Sequence, residues 1–338
     1  MKKIAFSPPS LLLVCAAALT VWAFGSCAGW AASAEEYYSL GMAYFDMGKF
    51  EEAEKWLNRA AAADKTHAAS EYNLGRIAFE TGRYEDAAKH FDAVLKKDPQ
   101  NVMALKAAAY TRIKTGDFGI AEGYYQRVLA LTPESADDGY NYALVLFAVK
   151  KYAEAEETLA AHEFTLPDNN EALLLYARAQ AAQNKIEAMD SYAQWLVNNS
   201  DPKVRYEYAQ ILEKAELYAR ALEEYRMALA GLSPDSTDPK KADLRFALGR
   251  LLLIADPENE EGIAELKNAV SEGFADTALL EELAQNERIS RARRESVRAL
   301  IDEAKRVAAG LEAQKIEAEN AEPLETDVEG RTEGPGEG

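Results

Sequence analysis

The side chains that most often carry out chemistry are scarce in this sequence. It contains three histidines (His67, His90 and His162) and two cysteines, Cys15 and Cys27, both near the N-terminus. The rest of the chain therefore has no thiol nucleophile and no cysteine metal site. The sequence also lacks a paired-histidine zinc motif, a phosphate-binding glycine loop and a nucleophile elbow. We expect the histidines to be helix-packing or surface residues, and we expect no metal and no cofactor.

Carboxylates are abundant instead. The 57 acidic residues outnumber the 38 basic ones and give a net charge of −19 at pH 7. So many acids place some close together by chance, and no pair can be identified as a general acid and base. A chain this acidic is repelled by nucleic acids and by anionic membranes, so neither is expected as a partner. These observations favour a protein that is not an enzyme.

The N-terminus has the pattern of an export signal. Lys2 and Lys3 precede an uncharged apolar stretch from Leu11 to Phe24, and Ala32-Ser33-Ala34 has the small residues of a cleavage site. We predict a signal peptide over residues 1–34. Two alternatives stay open: the four residues ending at Cys27 resemble a bacterial lipobox, in which Cys27 would be lipidated, or the apolar stretch is an uncleaved anchor. In each case the chain is exported to the periplasm or cell envelope.

An internal period of 34 residues organises the chain after this leader. The pair Leu40-Gly41 recurs 34 residues later as Leu74-Gly75. A second landmark, glycine followed by a charged and then an aromatic residue, begins at Gly48, Gly82 and Gly116. A fixed period of this length is typical of repeat proteins. Apolar residues at three- and four-residue spacing predict two helices in each copy.

These landmarks resemble the tetratricopeptide repeat. The copy from Ala68 to Asn101 matches best, and the copy from Asn170 to about Asp201 is the weakest. The resemblance covers residues 35–274 with about seven copies, and it implies an all-α, right-handed superhelical solenoid of helix-turn-helix repeats.

Two segments follow the repeats. Residues 275–315 still have helical periodicity, and we predict a helical cap that shields the last repeat. Its arginines Arg291, Arg293, Arg294 and Arg298 either form a solvated face or dock an acidic partner. Residues 316–338 are acidic and poor in apolar side chains, so we predict a disordered tail.

The resemblance also implies a binding surface, because first helices of tetratricopeptide repeats contribute the ligand-facing positions. Mapped onto this sequence, these positions hold mostly aromatic, amide and basic residues, with Asn73 and Asn141 expected to bond a peptide backbone. Alternatively, some of the rings pack between neighbouring repeats. The predicted groove residues are Tyr38, Phe45, Tyr72, Asn73, Arg76, Phe79, Lys106, Tyr110, Tyr140, Asn141, Phe147, Arg178, Tyr206, Phe246 and Arg250.

An aromatic groove without catalytic groups suits an extended peptide or a partner helix. We therefore expect a non-enzymatic interaction scaffold of the bacterial cell envelope that binds protein or peptide partners and reaches a membrane only through an N-terminal lipid or anchor. One alternative is a ligand-binding accessory protein of a transporter, which converging charges from Arg76, Arg178 and Arg250 would favour. Another is a noncatalytic subunit of a cell-wall enzyme complex.

Overall fold

The computed structural model describes residues 33–161 and 170–321, and in these residues it contains sixteen helices and no strand. The predicted all-α fold is confirmed. Residues 1–32 of the predicted leader, which include Cys27, lie outside the described residues, as do His162 and the predicted tail from residue 322. In chain order the helices are α1 (Ala34–Asp46), α2 (Phe50–Ala63), α3 (Ala68–Glu80), α4 (Tyr84–Lys97), α5 (Val102–Thr115), α6 (Phe118–Leu131), α7 (Ala136–Ala148), α8 (Tyr152–Ala161), α9 (Asn170–Ala182), α10 (Ala188–Asn198), α11 (Pro202–Lys214), α12 (Tyr218–Gly231), α13 (Lys241–Ala255), α14 (Glu260–Ser271), α15 (Thr277–Gln285) and α16 (Arg291–Ala321).

Helices α1 to α14 form seven successive pairs in the described part of the chain. The chain divides into two compact units between Leu131 and Thr132, so that α1–α6 belong to the first unit and α7–α16 to the second. Within each unit the second helix of one pair packs against the first helix of the next. None of the helices searched in the described residues is long and apolar enough to cross a membrane.

The repeated glycine of the first helix allows close contact inside each of the first two pairs. A Cβ atom added to Gly41 would lie 2.8 Å from Leu57 Cγ, and one added to Gly75 would lie 2.7 Å from Phe91 Cε1. Real Cβ atoms do not approach other atoms so closely, because the atoms would overlap. The glycine therefore sets the distance between the two helices, and Leu57 and Phe91 are buried against it.

The turn inside each of the first six pairs contains a residue in the left-handed conformation. In the first three pairs this residue is Gly48, Gly82 or Gly116, with φ between +70° and +83°. Glycine adopts this conformation without the steric cost that a Cβ brings. The next three turns use Lys150, Asn184 and Glu216 instead, with φ of 64°, 56° and 58°. The glycine landmark is therefore lost from the later copies while the backbone conformation is kept.

Polar caps fix where several first helices begin. Ser33 accepts a hydrogen bond from the Glu36 amide, and the Glu36 carboxylate accepts one from the Ser33 amide. Such reciprocal capping satisfies amides that have no partner inside the helix. Asp201 caps α11 and is followed by Pro202 at the first helical position, where its missing amide hydrogen costs nothing.

The last two helices close the second unit. Leu280 and Leu283 of α15 and Val297 and Leu300 of α16 are buried in one apolar cluster with residues of α13 and α14. Helix α16 runs to Ala321, so the segment predicted to be disordered from residue 316 begins inside a helix. Alanine, glutamate, lysine and glutamine are strong helix formers and extend it.

The arginines of α16 make contacts within the chain. Arg291 pairs with Glu295 at 3.1 Å, and Arg293 donates to the Glu258 carbonyl at 2.9 Å. Arg298 donates to the Ala284 carbonyl at 3.4 Å and so ties α16 to the end of α15. These contacts show that part of the arginine cluster holds the two terminal helices together.

Candidate partner-binding surface

The first unit has a groove lined mainly by its first helices, α1, α3 and α5. It consists of two adjoining cavities of about 380 and 220 Å³ that share Arg76. The larger cavity lies between α1, α3 and the start of α5, and the smaller lies between α3 and α5. We call this surface the aromatic groove and define it by the residues Tyr38, Met42, Tyr72, Arg76, Phe79, Met103 and Tyr110. The sequence prediction named five of these seven residues.

Hydrogen bonds fix the middle of the aromatic groove. Asn73 donates to the Ala69 carbonyl at 2.9 Å and to the Tyr38 hydroxyl at 3.2 Å, and its carbonyl accepts from Arg76 at 3.0 Å. The guanidinium of Arg76 lies over the Phe45 ring, 4.5 Å from its centroid. Asn73 is buried and its amide is fully engaged. It therefore positions Tyr38 and Arg76 and does not offer its own amide to a peptide, which corrects the sequence expectation.

Ring contacts hold the other side of the groove. Phe79 lies between Tyr84 and Tyr110, with centroid distances of 5.3 and 5.2 Å, and Tyr72 packs on Phe91 at 5.6 Å. Tyr110 nevertheless exposes 47% of its surface and Met103 exposes 64%. The groove therefore combines rings that are fixed by their neighbours with large apolar side chains that remain exposed.

Some predicted groove residues serve their own helical pair. The rings of Phe45, Phe79 and Phe147 each contact the aromatic residue that begins the second helix of the same pair, at 5.5, 5.3 and 5.1 Å. Each ring thus connects the end of the first helix to the start of the second helix of its pair, next to the turn. The predicted groove residue Lys106 lies in α5 and is half-buried.

In the second unit, α7 carries Tyr140, Asn141 and Phe147, all half-buried. The Tyr140 hydroxyl lies 3.4 Å from Glu171, and burial together with this carboxylate raises the pKa of Tyr140. This phenol stays protonated at physiological pH and is able to donate a hydrogen bond.

The predicted arginines of the second unit are paired with glutamates of α11. Arg178 forms two hydrogen bonds of 2.9 Å with Glu207, which also accepts from the Tyr192 hydroxyl at 3.1 Å. Burial alone would lower the pKa of Arg178, but the bond to Glu207 outweighs burial and raises it. Sequence reasoning missed Glu207, because its role depends on a contact 29 residues away and no local pattern marks it.

Arg250 has the same type of partner near the C-terminal end of α11. Its guanidinium lies 2.7 and 2.8 Å from the carboxylate oxygens of Glu213, which also accepts from the Tyr225 hydroxyl at 3.1 Å. Tyr206 packs on Tyr225 at 5.8 Å, and burial raises the pKa of Tyr206.

Phe246 lies mainly in the core. It is 5% exposed and stacks on Phe274 with 4.1 Å between ring centroids. Only a small part of this predicted groove residue is therefore available to a ligand.

The two histidines that the structure describes have structural partners. His67 accepts from the Ser70 amide at 3.2 Å and caps α3, and His90 lies 2.9 Å from Glu71. Within the described residues, no three histidine, cysteine or carboxylate side chains lie close enough together to hold a metal ion.

Comparison with known proteins assigns the helical pairs to a family. Residues 38–102 and 106–164 match the family model of the tetratricopeptide repeat. The first four helical pairs are therefore tetratricopeptide repeats. The pairs from α9 to α14 lie beyond the matched residues, and they continue the same helix-turn-helix architecture. A search of the curated proteins finds no match to this tetratricopeptide-repeat chain.

Two solved structures are similar to this chain. A tetratricopeptide repeat protein from Parabacteroides merdae is 21% identical, with a TM-score of 0.50 over 75% of this chain and 99% of its own. MamA from Desulfovibrio magneticus, from its residue 41 onward, is 20% identical, with a TM-score of 0.45 over 48% of this chain and 93% of its own. At this identity the likeness to the Parabacteroides protein establishes the helical-repeat fold.

Proposed function

We propose that this tetratricopeptide-repeat protein is a non-enzymatic scaffold that binds a protein partner, as an extended peptide or a helix, in the aromatic groove of its first unit. The observation that carries the proposal is the exposure of Tyr110 and Met103 beside rings that are already fixed by their neighbours. Binding to a surface that is ordered in advance loses little side-chain entropy. Aromatic residues in such positions often supply most of the binding energy of a protein interface.

We further propose that the scaffold works in the bacterial cell envelope. The support is the sequence of the first 34 residues, with its basic start, apolar stretch and small-residue cleavage site. Lipidation of Cys27 would tether the repeats to a membrane surface, whereas cleavage after Ala34 would release them into the periplasm.

The geometry favours a scaffold over a transporter accessory protein. A small anionic ligand would need guanidinium groups that are free to converge on it. In this chain Arg178 and Arg250 are each neutralised by a glutamate of α11, and Arg76 is bonded to Asn73. A role as the noncatalytic subunit of an envelope enzyme would use the same protein-binding surface, so identifying the partner distinguishes it.

A capture experiment tests the groove. The full chain and its Tyr72→Ala/Tyr110→Ala variant are immobilised and exposed to native envelope extract, and bound proteins are quantified by mass spectrometry. A Trp56→Ala/Ile120→Ala variant is the matched control, because it truncates two large side chains on second helices, away from the groove.

We expect at least one protein to be retained by the wild type and the control and lost about tenfold or more from the groove variant, since two truncated interface aromatics weaken binding by at least that factor. Equal recovery by all three chains would contradict the assignment of the groove.

A further inference from the structure

A second cavity, of about 390 Å³, lies in the second unit among α11, α13 and α15. Its size falls within the range of sites that bind small ligands or single side chains. Much of its wall is apolar and comes from Phe246, Ile254, Phe274, Leu279 and Leu283. Leu279 remains 40% exposed at this cavity, as expected for a wall that is not covered by the chain itself.

The charges that line this cavity are unbalanced. Three carboxylates, those of Asp243, Asp276 and Glu282, face it together with one cation, Arg250. The charge of Arg250 is already neutralised by Glu213 at 2.7 Å. Among the described residues, none of the three carboxylates has an ion-pair partner of its own. The cavity therefore has an apolar wall and an uncompensated negative charge.

The spacing of the carboxylates indicates what kind of cation would fit. They do not converge closely enough to ligate a metal ion together. A basic side chain has an apolar stem and a cationic head, so it can cover an apolar wall while its head meets carboxylates. Tyr206 adds aromatic surface, which attracts cations through the electron-rich face of its ring. The net charge of −19 would further draw a basic partner toward the chain.

We propose that this cavity binds an arginine or lysine side chain of a partner protein. The site lies in a different unit from the aromatic groove, and it rests on the proposed function only in that a protein supplies the side chain. Asp243 and Glu282 are its principal charged groups, because the Asp276 carboxylate also accepts the Leu279 amide as the cap of α15.

The probe for this proposal is a blocked tripeptide with a central arginine, compared with the same tripeptide carrying citrulline, which has a similar shape but no charge. Each is titrated at low ionic strength into the full chain with ¹³C-labelled isoleucine and leucine methyl groups. The signals of Ile254 and Leu279 report whether the tripeptide enters the cavity. We expect these signals to shift with arginine, and we expect the citrulline tripeptide to bind about tenfold more weakly or not at all.

Two double variants, each of which removes two negative charges, test whether binding depends on the carboxylates that line the cavity. Asp243→Asn/Glu282→Gln removes the two cavity carboxylates, whereas Glu281→Gln/Glu287→Gln removes two exposed carboxylates that do not line the cavity. The cavity variant should bind the arginine tripeptide about tenfold more weakly, and the control should bind it as the wild type does. An unchanged urea unfolding midpoint shows that the cavity variant is folded.

Four results would overturn the proposal. These are no shift of Ile254 or Leu279, equal binding of the citrulline tripeptide, equal loss of affinity in both double variants, or binding of free spermidine while the arginine tripeptide does not bind. The Tyr72→Ala/Tyr110→Ala variant should still bind the arginine tripeptide. The proposal for the aromatic groove and the proposal for this cavity can therefore be rejected independently.

Discussion

Arg250 of α13 meets Glu213 of α11 with two nitrogen–oxygen distances of 2.7 and 2.8 Å, although 37 residues separate them in sequence. Helix α11 also supplies Glu207 to Arg178 of α9, so this one helix is bonded to the first helix on either side of it. The Tyr225 hydroxyl donates to Glu213 as well. These contacts fix the spacing of three successive first helices within the second unit.

Replacing Glu213 should therefore destabilise the second unit. The Glu213→Gln variant leaves Arg250 without its charged partner in a place where Glu213 is only 15% exposed. We expect a loss of about 1–2 kcal/mol, as for a partly buried charge-assisted hydrogen bond. The control is Glu261→Gln, whose ion pair with Arg226 is about half exposed and should contribute less than about 1 kcal/mol. Urea denaturation compares them, and equal effects would contradict the argument.

Replacement of glycine by alanine should change the stability of the first unit in opposite directions at Gly75 and at Gly123. A Cβ on Gly75 would overlap Phe91, so Gly75→Ala should destabilise the first unit by about 1–3 kcal/mol. Around Gly123, in α6, there is open space, so Gly123→Ala should stabilise the unit by about 0.5–1 kcal/mol through helix propensity. Thermal unfolding of the two variants tests this, and a loss of stability in both would show that close helix contact is not the cause.

The positive φ values of the turn residues predict opposite effects on stability for two substitutions, one that introduces glycine and one that removes it. Lys150 has φ of 64°, which is unfavourable for a residue with a side chain. Lys150→Gly should stabilise the second unit by about 0.5–1 kcal/mol, because the gain at this φ exceeds the entropy that glycine loses on folding. Gly82→Lys, at φ of 77°, should destabilise the first unit by about 1 kcal/mol. Urea midpoints that fail to move in opposite directions would reject this explanation.

The helical architecture could be predicted because its determinants are local and repeat. Leu-Gly and the turn glycines mark helix contacts and helix ends within single pairs, and each occurs more than once in the sequence. The weak copy around Asn184 still forms a helical pair, since the turn accepts asparagine where earlier copies have glycine. The end of α16 at Ala321 is not predicted from the sequence. In residues 316–321 the low apolar content indicates disorder, whereas the many helix-forming residues favour a helix.

The binding surface was harder to predict, because exposure depends on contacts between residues that are distant in sequence. Tyr72 and Tyr110 line the two cavities of the aromatic groove. Asn73 occupies another of the predicted ligand-facing positions, but it is buried and bonded to Tyr38, 35 residues away. Phe246 is covered by Phe274, which follows the last repeat. No single-copy pattern could have indicated these two contacts.

The stability of the second unit should depend on the charge of Glu156. Burial alone would raise the pKa of Glu156, but hydrogen bonds from Lys185, Gln183 and Gln180 outweigh burial and lower the pKa below its ordinary value of 4.5. A lowered pKa in the folded state stabilises the fold above that ordinary value, and this contribution is lost as the pH falls through the lowered pKa.

Urea denaturation at a series of acidic pH values checks this linkage. The wild-type free energy of unfolding should decline more steeply below about pH 4.5 than that of Glu156→Gln, which has no carboxyl group to protonate at this position. The many other carboxylates titrate in both chains, so the difference between the two curves isolates Glu156. Parallel curves would mean that its hydrogen bonds do not stabilise the charged form.

The central claim is that the aromatic groove contacts a protein partner, and site-specific photo-cross-linking tests it most directly. A photoreactive phenylalanine analogue replaces Tyr110 in the full chain, in the cells that produce it. In a matched chain it replaces Ile120 of α6, which is 49% exposed against 47% for Tyr110. We predict a discrete cross-linked protein from position 110 and none from position 120. Cross-links of equal yield from both positions, or from position 120 alone, would contradict the claim.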